Sequence, residues 1–424
     1  MSRISIHQNG KSFEKDGKPF FYLADTIWSA FTNVTIEEWE YYLEKRKNQG
    51  FNVLQINTLP QWDRCMSDVG VYPFETKNGI LFSFDHYNEE FYDRAKQMCQ
   101  MAVDYGFTLA LVVLWLNYVP GTWGSRMNSN NIMPKDMVKN YTRKIFEEFD
   151  SFDPIYVISG DTDFDTAECI SYYKTVLDTL CELSPDSLKT FHIKRGYDVI
   201  PEEFLNKIDF YMFQSGHNVT GQDMAYKLPE AFAKKYPHKP MINAEPCYEQ
   251  MGYSRKIYGR FETFDLRKAA WSSILSGACA GITYGAHGIW NWYKINRPKN
   301  PAVGEGFDDP LPWEEAIHLP GAWDYGYIRQ LFELLNVTYL IPRQDILLNK
   351  TDEIIAGESN QGDFFIYVPS NTNVMLDIEF SEYKLRVIDL ETKNIACPLV
   401  TVKDKKTNIM LHRFLRDVLI LIKK

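Results

Sequence analysis

Cysteine is scarce: seven residues among 424, odd in number, scattered, and without a CxxC pair. That argues against a disulfide framework and a zinc knuckle. No apolar run approaches the roughly 18 residues that a membrane helix needs. Residues 1–20 are polar and lack the apolar core of a secretory leader, so a cytoplasmic location and no membrane partner are expected. Positive charge is also in deficit, with 46 Lys and Arg against 56 Asp and Glu. A chain of net charge -10 lacks the clustered basic surface on which sequence-independent nucleic-acid binding rests, so no nucleic-acid partner is expected. Neither HxH nor HExxH spacing occurs, so no catalytic metal and no cofactor are expected. Internal repeats and low-complexity tracts are absent.

What is present suits a folded domain. The length allows one large domain and a small one, and the 45% hydrophobic content can fill a sizeable core. Aromatic residues make up 15% of the chain; their faces stack on sugar rings but also fill cores, so they tip the balance only slightly toward a carbohydrate partner.

Residues 12–24 read as a hairpin around Asp16-Gly17, a two-residue turn signal. Apolar strand runs then alternate with helical patterns. The strands are FFYLAD (20–25), NVLQIN (52–57), FTLALVVLW (107–115), PIYVISGD (154–161), LKTFHI (188–193), FYMFQSG (210–216), PMINAEP (240–246) and ITYGAHGIW (282–290). Helices are expected at about 35–50, 88–105, 134–150, 166–183, 201–207, 223–236, 264–277 and 323–335, the first opened by a capping box of Thr35 and Glu38. Near-continuous apolar strands suit parallel strands covered on both sides. Eight such units favour a closed (β/α)8 barrel over a doubly wound open sheet. After about Leu340 the helical period disappears and short strands follow one another. The reading is therefore a catalytic α/β barrel over 1–340 and a small all-β sandwich over 341–424. The Pro- and Gly-rich stretch 296–320 falls after the eighth strand, as a long loop on the barrel's top face. Lys403 to Lys406 reads as a solvated turn.

Barrel active sites gather at the C-terminal ends of the strands. Those ends carry Asp25, Asn57, Trp115, Asp161, His192, Gln214, His217, Glu245, Tyr284, His287 and Trp290, with Trp28 and Trp62 nearby. Two carboxylates among amides, imidazoles and indoles suit a ligand with many hydroxyls and an apolar ring face. Glycoside hydrolysis needs such a pair: one carboxyl protonates the leaving oxygen, and the other attacks the anomeric carbon or activates water. Asp161 and Glu245, closing strands four and seven, would face each other across the mouth. Asp163 and Asp165 read instead as caps of the following helix. The Asp161–Asp163–Asp165 spacing opens like a calcium loop, but Thr166 and Tyr172 stand where Gly and Glu are required.

GKPFFYLADTIW (17–28), NVLQIN (52–57), VISGD (157–161), FQSGH (213–217), INAEPCYE (242–249) and YGAHGIWNW (284–292) together resemble the apiosidase-like glycoside hydrolases. DFFIYVPS (363–370) and FLRDVLIL (414–421) resemble the β-sandwich, labelled collagen-binding, that follows the barrel in that family. The resemblance runs through nearly the whole chain. It implies that Asp161 is the acid/base and Glu245 the nucleophile of a retaining mechanism. Ser159 and Ala244 stand where the family's motifs carry Gly, and both changes keep the carboxylate. The implied substrate is an oligosaccharide or small glycoside from which a terminal apiose-like sugar is removed; oligomeric state, linkage and exact sugar are not implied. Two readings from other classes compete: a non-catalytic sugar-binding barrel, which retention of both carboxylates disfavours, and an adhesion module acting through the sandwich.

Overall fold

The computed structural model describes residues 3–67, 69–77, 80–253, 257–297 and 308–424. Eight strands form one parallel sheet: β1 (Tyr22–Thr26), β2 (Val53–Asn57), β3 (Thr108–Trp115), β4 (Ile155–Gly160), β5 (Lys189–Thr190), β6 (Tyr211–Phe213), β7 (Met241–Asn243) and β8 (Gly281–Tyr284). They neighbour one another in chain order, and β8 pairs with β1. A parallel bridge between His192 and Met212 joins the ends of β5 and β6 and closes the barrel. The covering helices are α1 (Ile36–Asn48), α2 (Glu89–Asp104), α3 (Lys135–Phe149), α4 (Ala167–Leu183), α5 (Glu202–Leu205), α6 (Met224–Lys235), α7 (Thr263–Leu275) and α8 (Gly321–Leu334). Every expected strand and helix is present, with β5 to β8 shorter than the apolar runs that announced them.

Local chemistry explains the element ends. Asp16 and Gly17, at φ +54° and +68°, form the left-handed turn between Phe13–Lys15 and Lys18–Phe20. At α1, the Thr35 hydroxyl accepts from the Glu38 amide while the Glu38 carboxylate accepts from the Thr35 amide. Acidic residues fill its first turn and Lys45, Arg46 and Lys47 its last, complementing the helix dipole. Replacing Thr35 by Ala is expected to cost about 1 kcal/mol of stability, read as a lower urea midpoint at unchanged slope.

Parity along the strands decides what faces the barrel interior. The Gln55 side-chain amide donates to the Tyr22 hydroxyl (3.2 Å) and to Thr283 Oγ1 (2.8 Å), so these three residues point inward. Asp25 and Tyr284 have the opposite parity to Tyr22 and Thr283 and point outward, toward the helices. Loop insertions that the apolar pattern did not announce include a hairpin, Phe74–Lys77 with Leu81–Tyr87, and short helices at Ala30–Asn33, Trp123–Met127 and Trp313–Ala316. Within the long loop after β8, residues 298–307 lie outside the described residues.

The C-terminal strands are β9 (Leu340–Pro342), β10 (Ile355–Ser359), β11 (Phe364–Val368), β12 (Val374–Leu376), β13 (Lys384–Asp389), β14 (Ile395–Ala396), β15 (Leu399–Lys403), β16 (Lys406–Met410) and β17 (Val418–Lys423). They form a six-stranded antiparallel sheet, β9-β10-β11-β17-β13-β14, and a three-stranded one, β12-β16-β15. Asp404 and Lys405, both exposed and left-handed, make the tight turn from β15 to β16, as expected for Lys403 to Lys406. The apolar run of β17 has a physical reason. Leu419 and Leu421 join the core shared with the barrel, while Val418, Ile420 and Ile422 fill the core between the two sheets. Arg267 of α7 donates to both carboxylate oxygens of buried Asp417 (2.8 and 2.6 Å) and to Asp324 of α8 (3.0 Å), fastening the sheet to the barrel.

Candidate active site

At the C-terminal ends of the strands a cavity of about 290 Å³ opens, lined by Asp161 and Glu245 together with Trp28, Trp62, Trp115, Trp123 and Trp290. Its volume lies at the small end of the small-molecule range. Gln214 and His217 also line it, and Gln61, Asp63, Lys194, Arg195, Asn218, Tyr248 and Met251 complete the wall.

Glu245 is held by two imidazoles. His217 Nε2 lies 2.7 Å from Oε1 and His192 Nε2 lies 3.2 Å from Oε2. The tautomers follow from the opposite ring nitrogens. His217 Nδ1 faces the backbone N–H of Tyr248 (3.2 Å), and His192 Nδ1 faces the backbone N–H of Asp161 (3.0 Å). A backbone N–H can only donate, so each Nδ1 is a bare acceptor and each ring proton sits on Nε2. Both rings therefore carry Nε2–H on the side of the carboxylate, within hydrogen-bond geometry of Oε1 for His217 and off the hydrogen-bond line at 3.2 Å from Oε2 for His192. Burial would push the Glu245 carboxyl up, but the contacts with His192 and His217 outweigh it and hold the group below the usual carboxylate range. Glu245 is thus kept ionised.

Asp161 follows β4 with φ +56°, a left-handed backbone that non-glycine residues seldom adopt. Three contacts hold it there: its N–H on His192, its carbonyl accepting from the Trp123 indole (3.0 Å), and Thr162 bridged to Ile193 of the next strand. Such strain persists where surrounding structure over-determines it, commonly at functional sites. Gly160 before it leaves room for an aromatic ring: a Cβ there would lie 1.8 Å from Trp115 Cε3. Trp115 in turn lies against the His192 ring, with centroids 6.2 Å apart, and Trp28 meets that ring edge-on at 5.6 Å. We expect Gly160→Ala to displace Trp115 and lower kcat at least ten-fold while the protein still folds, checked by steady-state kinetics beside circular dichroism. Gly216 is constrained on two counts, by φ +76° and by the Arg195 side chain, which would lie 2.4 Å from an added Cβ.

Several residues expected in the site are placed elsewhere. Asp25 is fully buried between β1 and α1, bonded to Arg46 Nε (2.5 Å) and the Tyr42 hydroxyl (2.7 Å). Tyr284 also faces outward and donates to Glu249 Oε2 (2.6 Å), whose carboxylate accepts the Gly321 amide at the start of α8. Asn57 stands behind the wall, donating to Gln61 (3.2 Å). His287 lies behind Trp290: its Nδ1 accepts from the Trp290 indole (3.1 Å) and its Nε2 meets the Asp308 carbonyl (3.1 Å). His192 is fully buried and reaches the cavity through Glu245. The cap expected from Asp163 or Asp165 is supplied by Thr166, whose hydroxyl accepts from Cys169 N (3.1 Å). Asp163 instead accepts from the first amide of the Trp123–Met127 helix (3.2 Å), tying that loop to β4. Trp123, Lys194, Arg195 and Tyr248 carry no signal in the sequence, because they sit in loops where no period marks their direction. Among the described residues, no group of three or more His, Cys, Asp and Glu side chains could hold a metal ion, and no helix is long and apolar enough to cross a membrane.

Comparison with known proteins gives this geometry its family. Among curated proteins none matches the chain. A glycoside hydrolase family 5 structure from Bacteroides vulgatus is 20% identical with a TM-score of 0.82, over 100% of this chain and 93% of its own. A second structure, described as a glycoside hydrolase, is 22% identical with a TM-score of 0.78, over 100% of this chain and 97% of its own. A family 5 mannosidase from Rhizomucor miehei, solved with mannosyl-fructose, is 13% identical with a TM-score of 0.53, over 78% of this chain and 99% of its own. These likenesses establish the fold. The family model of the apiosidase-like catalytic domain matches residues 7–338, so the chain belongs to the apiosidase-like glycosidases.

Proposed function

We propose that this glycosidase removes a terminal sugar, apiose-like or related, from a small plant-derived glycoside or oligosaccharide by a retaining mechanism. Glu245 attacks the anomeric carbon, and Asp161 protonates the leaving oxygen and then activates water. The observation that carries the reading is the double imidazole contact on Glu245, which keeps an ionised carboxylate beneath a wall of indoles. A nucleophile must be ionised, whereas an acid must hold its proton, so the clamped residue takes the first role. The small cavity supports a single terminal sugar rather than a long chain. We place the boundary between barrel and sandwich at residue 340, where β9 opens two residues after the end of the family match at 338. In this reading the sandwich braces the barrel through Arg267 and the shared core.

The test is the anomeric configuration of the first product, followed by NMR. Retention supports the assignment, and inversion removes the nucleophile role from Glu245. In parallel, Asp161→Ala should slow alkyl glycosides by about 10²–10⁴-fold, the usual worth of a positioned acid. Nitrophenyl glycosides, which leave without protonation, should lose far less. Equal losses on both would count against Asp161 as the acid.

A further inference from the structure

We infer that His192 is a positioning residue that couples the two carboxylates, fixing the Asp161 backbone through Nδ1 and orienting the Glu245 carboxylate through Nε2. The inference rests on the roles assigned to Asp161 and Glu245 above. It adds that one buried ring serves both.

The geometry carries it. His192 is fully buried, and its ring packs against the indoles of Trp115 and Trp28, which also pack on each other with centroids 5.4 Å apart. Its own carbonyl accepts from Ser159 Oγ (2.9 Å), pinning the end of β5 to β4. On one side the ring accepts the N–H of a residue in a left-handed conformation, at 3.0 Å. Losing that acceptor would remove the ring's hold on the Asp161 amide and release the strain in Asp161. On the other side Nε2 stands 3.2 Å from Glu245 Oε2 without full hydrogen-bond alignment. Catalytic hydrogen bonds in unliganded enzymes are commonly loose and tighten as substrate binds. The ring can do both jobs only as the neutral Nε2–H tautomer. A second proton on Nδ1 would expel the Asp161 amide. His217 holds the other oxygen of Glu245 but accepts at Nδ1 from the Tyr248 amide, not from Asp161. The remaining titratable groups around this cavity are Asp63, Asp161, Lys194, Arg195 and Tyr248.

Two substitutions separate the functions. In His192→Asn the side-chain oxygen can replace Nδ1 but nothing reaches Glu245. In His192→Gln the terminal amide can replace Nε2–H but the acceptor for Asp161 is lost. On the nitrophenyl glycoside turned over by the parent enzyme, His192→Asn should shift the acid limb of kcat/KM upward by about one pH unit. His192→Gln should leave that limb in place and lose at least ten-fold more activity on the matching alkyl glycoside than on the nitrophenyl one. If both variants lose activity equally on both substrates with unchanged pH profiles, His192 is only a packing residue and the inference fails. Should neither variant fold, 15N NMR of histidine-labelled parent enzyme decides. The inference requires a neutral Nε2–H ring at His192 at neutral pH, and an Nδ1–H ring or an imidazolium overturns it. Failure of the underlying roles shows separately, because Glu245→Ala would then keep its turnover.

Discussion

Glu245→Gln should lower kcat by on the order of 10⁵-fold, about 7 kcal/mol of transition-state stabilisation, as expected when an essential nucleophile is removed. The amide is nearly isosteric, so the indole wall should stay in place. It is not electrostatically neutral to its neighbours, however. His192 and His217 both present Nε2–H, their tautomers being fixed by the amides of Asp161 and Tyr248. Glutamine offers one acceptor to two donors, so its NH2 must face a ring N–H. That mismatch should cost about 1–3 kcal/mol of stability. Glu245→Ala avoids the clash and leaves a small space beneath the indoles. Azide added to that variant should restore turnover of a nitrophenyl glycoside by taking the nucleophile's place. Activity of Glu245→Gln within ten-fold of the parent would remove Glu245 from the chemistry.

Asp25→Ala should destabilise the protein by about 3–5 kcal/mol, the cost of leaving one member of a buried ion pair without its partner. Asp25 and Arg46 are both fully buried, and the guanidinium also reaches Gln49 (2.7 Å), the C-cap of its own helix. Removing the carboxylate leaves the charge of Arg46 among Tyr42, Phe51 and Tyr284 with no anion. Replacing both members by apolar residues of similar volume, Asp25→Leu with Arg46→Met, should recover much of the loss. KM measured below the melting range should be unchanged in the single variant, because Asp25 faces α1 and not the cavity. A raised KM with unaltered stability would instead return Asp25 to the sugar site. Denaturant titration together with steady-state kinetics separates the two outcomes.

These two residues show how far a one-dimensional reading reaches. One rule, that polar residues closing barrel strands face the mouth, puts Asp25 and Glu245 alike in the site. The rule holds for Glu245, Asp161, Trp115, Gln214, His217 and Trp290; it leaves Asn57, His192 and His287 behind the cavity wall, and it fails outright for Asp25 and Tyr284. Ordinarily a strand's phase is read from alternation of apolar and polar residues. Parallel strands of a barrel are apolar on both faces, one against the interior and one against the helices. FFYLAD therefore carries no mark saying whether Asp25 or its neighbours point inward.

What the sequence determined by itself was the order of eight strands and eight helices, the capping box at Thr35, the turns at Asp16-Gly17 and Asp404-Lys405, the change to β structure near Leu340, and the two carboxylates closing β4 and β7. Each is written in short-range chemistry: an apolar period, a hydroxyl three residues before a carboxylate, a turn residue tolerant of positive φ. Only the tertiary structure decided which strand-end residues face the cavity and which loop residues join them. It also decided that Asp163 serves the helix of a neighbouring loop, and that Tyr248 and Asp161 fix the tautomers of the rings on Glu245. Those contacts join residues from different strands and loops of the barrel mouth. Their distances and directions exist only once the barrel has closed.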